Sequence, residues 1–383
     1  MDAPGIGDLA RGFAGFEDRR RPNRLHPLVS VITIAVLAVL SNCDSWAAIA
    51  RFAQAELKWL ELFVPLPHGA PSRQTFQRVL ALLKPEKLEE HLRRWFARMQ
   101  QALASTPGPL AIDGKMLRRS YKHAYDQSDV TYLVSAFAGA SGLVLAQDQV
   151  PGKGCELEGI RRLLEVLDLQ GRTVTIDALG CQRDIAAQIV QAQGHYCLAV
   201  KENQPTLFAR VQATVDALAE AGNGPASTWE TGHGRIETRC AWVSTNLEPL
   251  GRLARDWPGL AAIAMVESHR GIPGPHLDQS LTSSRRYYIL SQVLTSQQVQ
   301  DLVRGHWGIE NRLHYVLDVS YGEDNSRIEK VCAANFARLR RLSLNMLRCE
   351  KQVQDSIAGK RQRCAFSREY RLQVIAASLP KTT

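Results

Sequence analysis

Two acidic residues end apolar, strand-like runs: Asp113 in LAIDGK and Asp177 in VTIDALG. A third acid, Glu310, lies in the helix-patterned string RGHWGIENRLHYVLDV. A carboxylate at a strand end is hydrated, caps a turn or holds a cation. Two such Asp and one helical Glu, in a chain of formal net charge +9, make the donor set of a two-metal phosphoryl-transfer site. Each acid alone has an ordinary explanation. Asp113-Gly114 is a turn signal, Asp177 can cap the helix that follows, and Glu310 can belong to a solvated helix face. None of these explains why both Asp follow an Ile at a strand end within one βαβ-like block. If those strands are neighbours, the carboxylates meet at the crevice where sheets of this kind bind ligands.

Other residues could serve the same chemistry. His306, Glu310 and His314 recur at four-residue spacing on one helical stripe, with Trp307 and Asn311 beside it. Trp and His on a polar face suit a nucleic-acid base or phosphate; the H-E-x-x-H spacing of a zinc helix is absent. Lys115, Arg118, Arg119 and Lys122 follow the first acid, and Lys201 with Asn203 and Gln204 closes a later strand. All could meet phosphates. Ser72 is placed to cap a helix presenting Arg73, Gln74, Gln77 and Arg78, either a recognition helix for a major groove or a core helix through Phe76, Val79, Leu80 and Leu83. Glu323 and Asp324 stand in reserve should Glu310 face away from the other acids. No G-x-S-x-G, Walker A or G-x-G-x-x-G string follows any strand, so hydrolase, NTPase and dinucleotide readings lack their anchors.

The elements that must position these residues can be read from composition and periodicity. At 383 residues, 45% hydrophobic and 22% charged, the chain has material for a sizeable core and two domains. Its basic balance favours an acidic polymer as partner. The eight Cys form no C-x-x-C pair, which removes zinc-ribbon and redox motifs and leaves free thiols. The run Leu28–Leu40 is too short for a bilayer span, which takes about 20 residues, and predicts a buried helix. No export signal is visible, so a cytoplasmic, nucleoid-associated protein without a membrane partner is expected.

Residues 1–18 are Gly-rich and expected to fray. Helices are predicted after Ser45, after Ser72 and after Lys84-Pro85, which makes residues 1–105 an all-helical domain. A linker, Ser105-Thr106-Pro107-Gly108-Pro109, follows. The grammar then changes to LAIDG as a strand, TYLVSAFA and LVLAQDQV as a hairpin, LEGIRRLLEVLDL as a helix, and RTVTIDA as a strand. CQRDIAAQIVQAQ is a helix, HYCLAVK a strand, and PTLFARVQATVDALAEA a helix. A mixed sheet with flanking helices is expected over residues 106–350. The strand-rich stretch at about 222–291 behaves as an insertion before the helix of Glu310. Residues 351–383 read as a basic tail.

The blocks AIDGK-x-L-R, TIDALGCQRDIA with HYCLAVKENQPTL, HGRIETR at 233–239, and HWGIENRLHYVLDVSYGED resemble the DDE transposases of bacterial insertion sequences, in the group of the H-repeat-associated proteins. The N-terminal strings RLHPL, DSWAAIARF and PSRQTFQRVL resemble that group's associated domain. The chain departs from the pattern at KGCE (153–156), Tyr315, Gly322 and His306. The resemblance implies an α/β fold, RNase H-like, with a β-rich insertion and a helical, DNA-binding N-terminal domain. It also implies Asp113, Asp177 and Glu310 as catalytic metal ligands. Two Mg²⁺ (or Mn²⁺) ions roughly 3.5–4 Å apart would then serve strand cleavage at element ends and joining to target DNA. A homodimer holding two ends is implied as well. The alternatives left open are a transposase-derived DNA-binding protein without catalysis and an RNase H-like nuclease without strand transfer.

Overall fold

The computed structural model describes residues 5–103, 108–121, 130–222, 228–232, 235–272 and 282–379. Linker residues 105–107, Lys122, and His233-Gly234 of the HGRIETR string lie outside them. The chain forms two compact units. One comprises Met1–Thr106, Gly114–Gly159 and Glu310–Thr383; the other comprises Pro107–Asp113 and Ile160–Ile309.

The first unit begins with α1 (Ile6–Gly12), α2 (Leu28–Leu40), α3 (Trp46–Ala55), α4 (Leu57–Leu60), α5 (Arg73–Leu82) and α6 (Pro85–Ala102). The expected fraying of the first residues is corrected from Gly5 onward. Ile6, Leu9 and Phe13 are fully buried, an apolar stripe that the surrounding glycines had masked. Helix α2 has the bounds its apolar run predicts, and every residue but Val29 is buried. Its polar Ser30 donates to the carbonyl of Pro65 at 2.8 Å, which lets a hydroxyl sit in the core. Ser45 and Ser72 accept from the backbone N–H of Ala48 and Thr75, so both predicted caps form. A break at Glu56 separates α3 from the short α4.

Strand β1 (Leu110–Leu117) crosses between the units at Asp113/Gly114. In the first unit it is followed by the antiparallel hairpin of β2 (Thr131–Ala138) and β3 (Leu143–Val150), in the order β3-β2-β1. Helix α7 (Glu156–Val166) lies so close to the hairpin that a Cβ on Gly159 would stand 2.6 Å from Val150.

The second unit adds β4 (Thr173–Ile176), α8 (Arg183–Gln191), β5 (His195–Val200) and α9 (Pro205–Glu220). Then come β6 (Thr228–Gly232), β7 (Arg235–Ser244), α10 (Arg252–Asp256), β8 (Ala262–Gly271), β9 (Thr282–Leu290) and α11 (Ser296–His306). Its strands run β1-β4-β5-β9-β8-β7-β6. β1, β4 and β5 are parallel, and the remaining neighbours are antiparallel. The strands read as an insertion therefore extend the same sheet, joined through Cys197↔Leu290 and Leu198↔Ile289. Helix α11 buries Val299, Leu302 and Val303 on Ala241, Ala262, Ala264 and Leu290. With β1 shared, the order β3-β2-β1 and β1-β4-β5 is that of an RNase H-like sheet.

The chain then re-enters the first unit through α12 (Tyr315–Tyr321), α13 (Lys330–Cys349), α14 (Ile357–Phe366) and α15 (Arg368–Ser378). Helix α13 packs on α2, α5, α6 and α15. The expected basic tail holds a helical pair in which Lys360, Arg361 and Arg371 face inward while Arg363 and Arg368 stay exposed. Lys360 pairs with Glu350 at 3.0 Å and Arg361 with Asp44 at 2.8 Å, while Arg371 lies 4.9 Å from the ring centres of Phe52 and Trp59.

Candidate active site

In the second unit, β1 and β4 pair as Leu110↔Val174, Ala111↔Thr175 and Ile112↔Ile176. Asp113 and Asp177 therefore each come one residue past the last rung of adjacent parallel strands. Because side chains alternate, Ile112 and Ile176 share one face and the two carboxylates share the other. Asp177 follows the carboxyl end of β4, the edge at which such sheets present ligand sites, whereas Asp113 lies within β1, which runs on to Leu117 rather than turning at Gly114.

Asp177 is exposed, and its Oδ1 accepts from Leu179 N–H at 3.1 Å. The carboxylate thus caps the turn Ala178–Gly180, as the ordinary reading had it, while remaining at the sheet edge. The turn folds tightly over its own strand. A Cβ on Gly180 would lie 2.3 Å from Ile176 Cγ2, so only glycine fits. Asn203 Nδ2 donates to Ala178 O at 2.6 Å, and Gln204 Nε2 donates to Cys181 O at 3.0 Å. These amides, expected near phosphates, are engaged in holding the Asp177 turn. Lys201, exposed at the end of β5, borders the same edge through the rung Ile176↔Leu198.

His306 ends α11 with Nδ1 3.0 Å from the Thr175 hydroxyl. Burial lowers its pKa, with Asp177 pulling the other way, so the ring favours the neutral form. The ring supports β4 through this bond. Trp307 remains 42% exposed, with the Arg286 guanidinium 4.5 Å over its ring.

In the first unit, Glu310 is exposed and opens a π-helical turn, Glu310–His314, where the sequence pattern had predicted regular helix. Such turns insert one residue and often mark functional positions. Ligand atoms of Glu310 and His314 come within 4.8 Å of one another. His314 is buried, and that burial, with the Lys115 charge beside it, drops its pKa to about 4. It therefore presents a neutral ring inside the protein, which corrects its expected place against DNA.

Lys115 was expected to meet a phosphate as well. Instead its ammonium contacts Asp318 and lies 3.1 Å from Glu323 and 4.0 Å from Asp324. Glu323 is buried and also faces Arg340 at 3.6 Å, so the reserve acid is spent on structure. Arg118 reaches Asp324 at 3.1 Å from an exposed position. Arg73 and Arg78 lie on the exposed face of α5, while Phe76, Val79 and Leu80 face the core. Sequence reasoning missed Gly180, Asp318 and the pairing of Glu323 with Lys115. Glycine three residues after the strand-end Asp was the available signal for the first; nothing local signals the others, whose partner is 203 to 208 residues away.

Residues 104–346 match the family described as Transposase DDE domain, and residues 11–96 match the one described as DDE_Tnp_1-associated. Two Escherichia coli proteins named as putative transposases are similar nearly end to end. YncI of O157:H7 is 33% identical over 92% of this chain and 90% of its own length. The H repeat-associated YhhI of strain K12 is 31% identical over 92% and 93%. An uncharacterized Xanthobacter autotrophicus protein of the dhlA 3′ region is 38% identical over 71% of this chain and 90% of its own length. A DDE domain implies divalent metal use, and the hard carboxylate oxygens of Asp113 and Asp177 suit such an ion. No helix among the described residues is long and apolar enough to cross a membrane. The chain belongs to the DDE transposase family of bacterial insertion sequences and is a DNA transposase, a polynucleotidyl transferase.

Proposed function

We propose that this transposase cleaves the ends of its element and joins the freed 3′-hydroxyls to target DNA, with Asp113, Asp177 and Glu310 holding two Mg²⁺ ions. The observation that carries the reading is the rung Ile112↔Ile176, which brings two acids to one edge of adjacent strands. Glu310 is the third because it is exposed and falls within the matched family span, whereas Glu323 is consumed by Lys115 and Arg340. When bound, the metal pair supplies a nucleophile at neutral pH and stabilises the leaving oxygen. The protein's part is to hold three anionic donors, keep Asp177 oriented through Leu179 N–H, and present cations to the DNA backbone. Arg73 and Arg78 on α5, Arg118, Lys201 and Trp307 are exposed and form the proposed DNA contacts, with the helical N-terminal domain reading the element ends. A homodimer would hold the two ends together, in the cytoplasm at the nucleoid.

The test uses a labelled element-end duplex and a target plasmid with Mg²⁺. Cleavage followed by joining supports the reading. Cleavage without joining would mark a nuclease, and binding without either would mark a DNA-binding protein. Asp113→Ala and Asp177→Asn should abolish cleavage while retaining DNA affinity and should each weaken Mn²⁺ binding measured by calorimetry.

A further inference from the structure

Lys115 is two residues past Asp113 on β1, hence on the same face of that strand. Its ammonium contacts Asp318 on α12 and stands 3.1 Å from Glu323 in the turn that follows. Glu310 opens the helical segment that runs without interruption from the π-turn through α12 to Tyr321. Two turns of that segment separate Glu310 from Asp318. The Lys115 side chain is only 10% exposed, too enclosed for a DNA phosphate. A core filler at this position would need no charge, yet three carboxylates are gathered around it, one of them fully enclosed. Arg118 meets the outermost, Asp324, from solvent, so the cluster is layered from a buried inner acid to an exposed one.

We infer that Lys115 is a positioning residue for the transposase reaction: gripped by Asp318 and Glu323, it fixes the helical segment that carries Glu310 to the strand that carries Asp113. The inference rests on Glu310 being the third metal ligand. Without the ammonium, Glu323 keeps Arg340 at 3.6 Å as its cation among the described residues and repels Asp318, which frees α12 and the π-turn before it. Removing a group that orients a metal ligand typically weakens metal binding by about 10- to 100-fold.

The test compares Lys115→Met, Lys115→Arg and Asp318→Asn in the full chain bound to end DNA. Calorimetry reads Mn²⁺ affinity, a gel assay reads DNA affinity against salt, and amide hydrogen exchange reads residues 310–321. Lys115→Met should weaken Mn²⁺ binding by roughly 10- to 100-fold, with DNA affinity unchanged and faster exchange in 310–321. Lys115→Arg should recover most of the loss. Wild-type Mn²⁺ affinity and exchange in Lys115→Met would overturn the inference. So would loss of DNA affinity with a flatter salt dependence, which marks a phosphate contact. If Lys115→Met does not fold, Asp318→Asn decides, because it keeps the cation and must still weaken Mn²⁺ binding. A wild-type chain that binds no Mn²⁺ would instead sink the assignment of the metal site, and the exchange data would then report the tether separately.

Discussion

Glu89 of α6 and Arg341 of α13 meet at 2.6 Å inside the first unit, and Arg338 closes on the same carboxylate at 3.1 Å. The other oxygen of Glu89 accepts from Gln147 N–H of β3 at 2.9 Å. One acid thus ties two helices and the hairpin together, and each of its oxygens is satisfied.

Glu89 should make this unit acid-labile. Burial alone would raise its pKa, but Arg341 and Arg338 outweigh burial and hold it below the usual carboxylate range. A lowered folded-state pKa means its stabilisation is complete above the unfolded value, near about 4.3. It is lost as pH falls through the lower folded value. Glu89→Gln should cost about 3–5 kcal/mol at pH 7, because two buried guanidinium groups lose their counter-charge. Urea unfolding at pH 7 and at successively lower pH checks both points. The variant should lack the steep acid limb of the wild type.

Gly180→Ala should injure activity more than stability. The added methyl has no room beside Ile176 Cγ2, so the turn that Asp177 caps must shift, at about 1–3 kcal/mol of overpacking. Thermal unfolding and end cleavage measured on the same sample separate the two. Full activity in a destabilised protein would contradict the role given to the turn.

Glu310→Gln and Glu323→Gln should behave as opposites. The first removes an exposed acid and should abolish cleavage while leaving the unfolding midpoint unchanged. The second removes a buried one paired with Lys115 and Arg340 and should lower stability first. If Glu310→Gln cleaves at close to the wild-type rate, Glu310 is not a ligand.

Arg73→Ala and Arg78→Ala test recognition by α5. A base-reading arginine should lose preference for end DNA over random DNA by about 1–3 kcal/mol per contact. A phosphate contact would weaken both alike and flatten the salt dependence. Unchanged binding to both DNAs would move recognition to another surface, with Arg21 and Arg24, exposed before α2, the next to change.

Where structure depends on near neighbours, the sequence was readable. The bounds of α2, β2 and β3, and the caps Ser45 and Ser72, follow from short apolar runs and hydroxyl positions. Asp113 and Asp177 were legible because strand alternation and a parallel register need only a few residues. What escaped depends on distant partners. The fate of Lys115 is set by acids beyond residue 300, β9 joins β5 across some 90 positions, and Arg361 and Arg371 are basic by type but internal by placement. The π-turn at Glu310 leaves no mark on periodicity, since one inserted residue barely shifts the pattern of a short helix.

The bond between Arg361 and Asp44 spans 317 residues, and it sets a timetable. Helix α2, apolar on every side, leaves the ribosome early, yet α13 and α14, which cover it, are made last. At roughly 5–20 residues per second the wait is on the order of tens of seconds. Over that interval the nascent chain carries a greasy helix and an unanswered acid. Each copy is therefore exposed to capture by chaperones or proteases until the final helices emerge, and the first unit cannot close before translation is nearly complete.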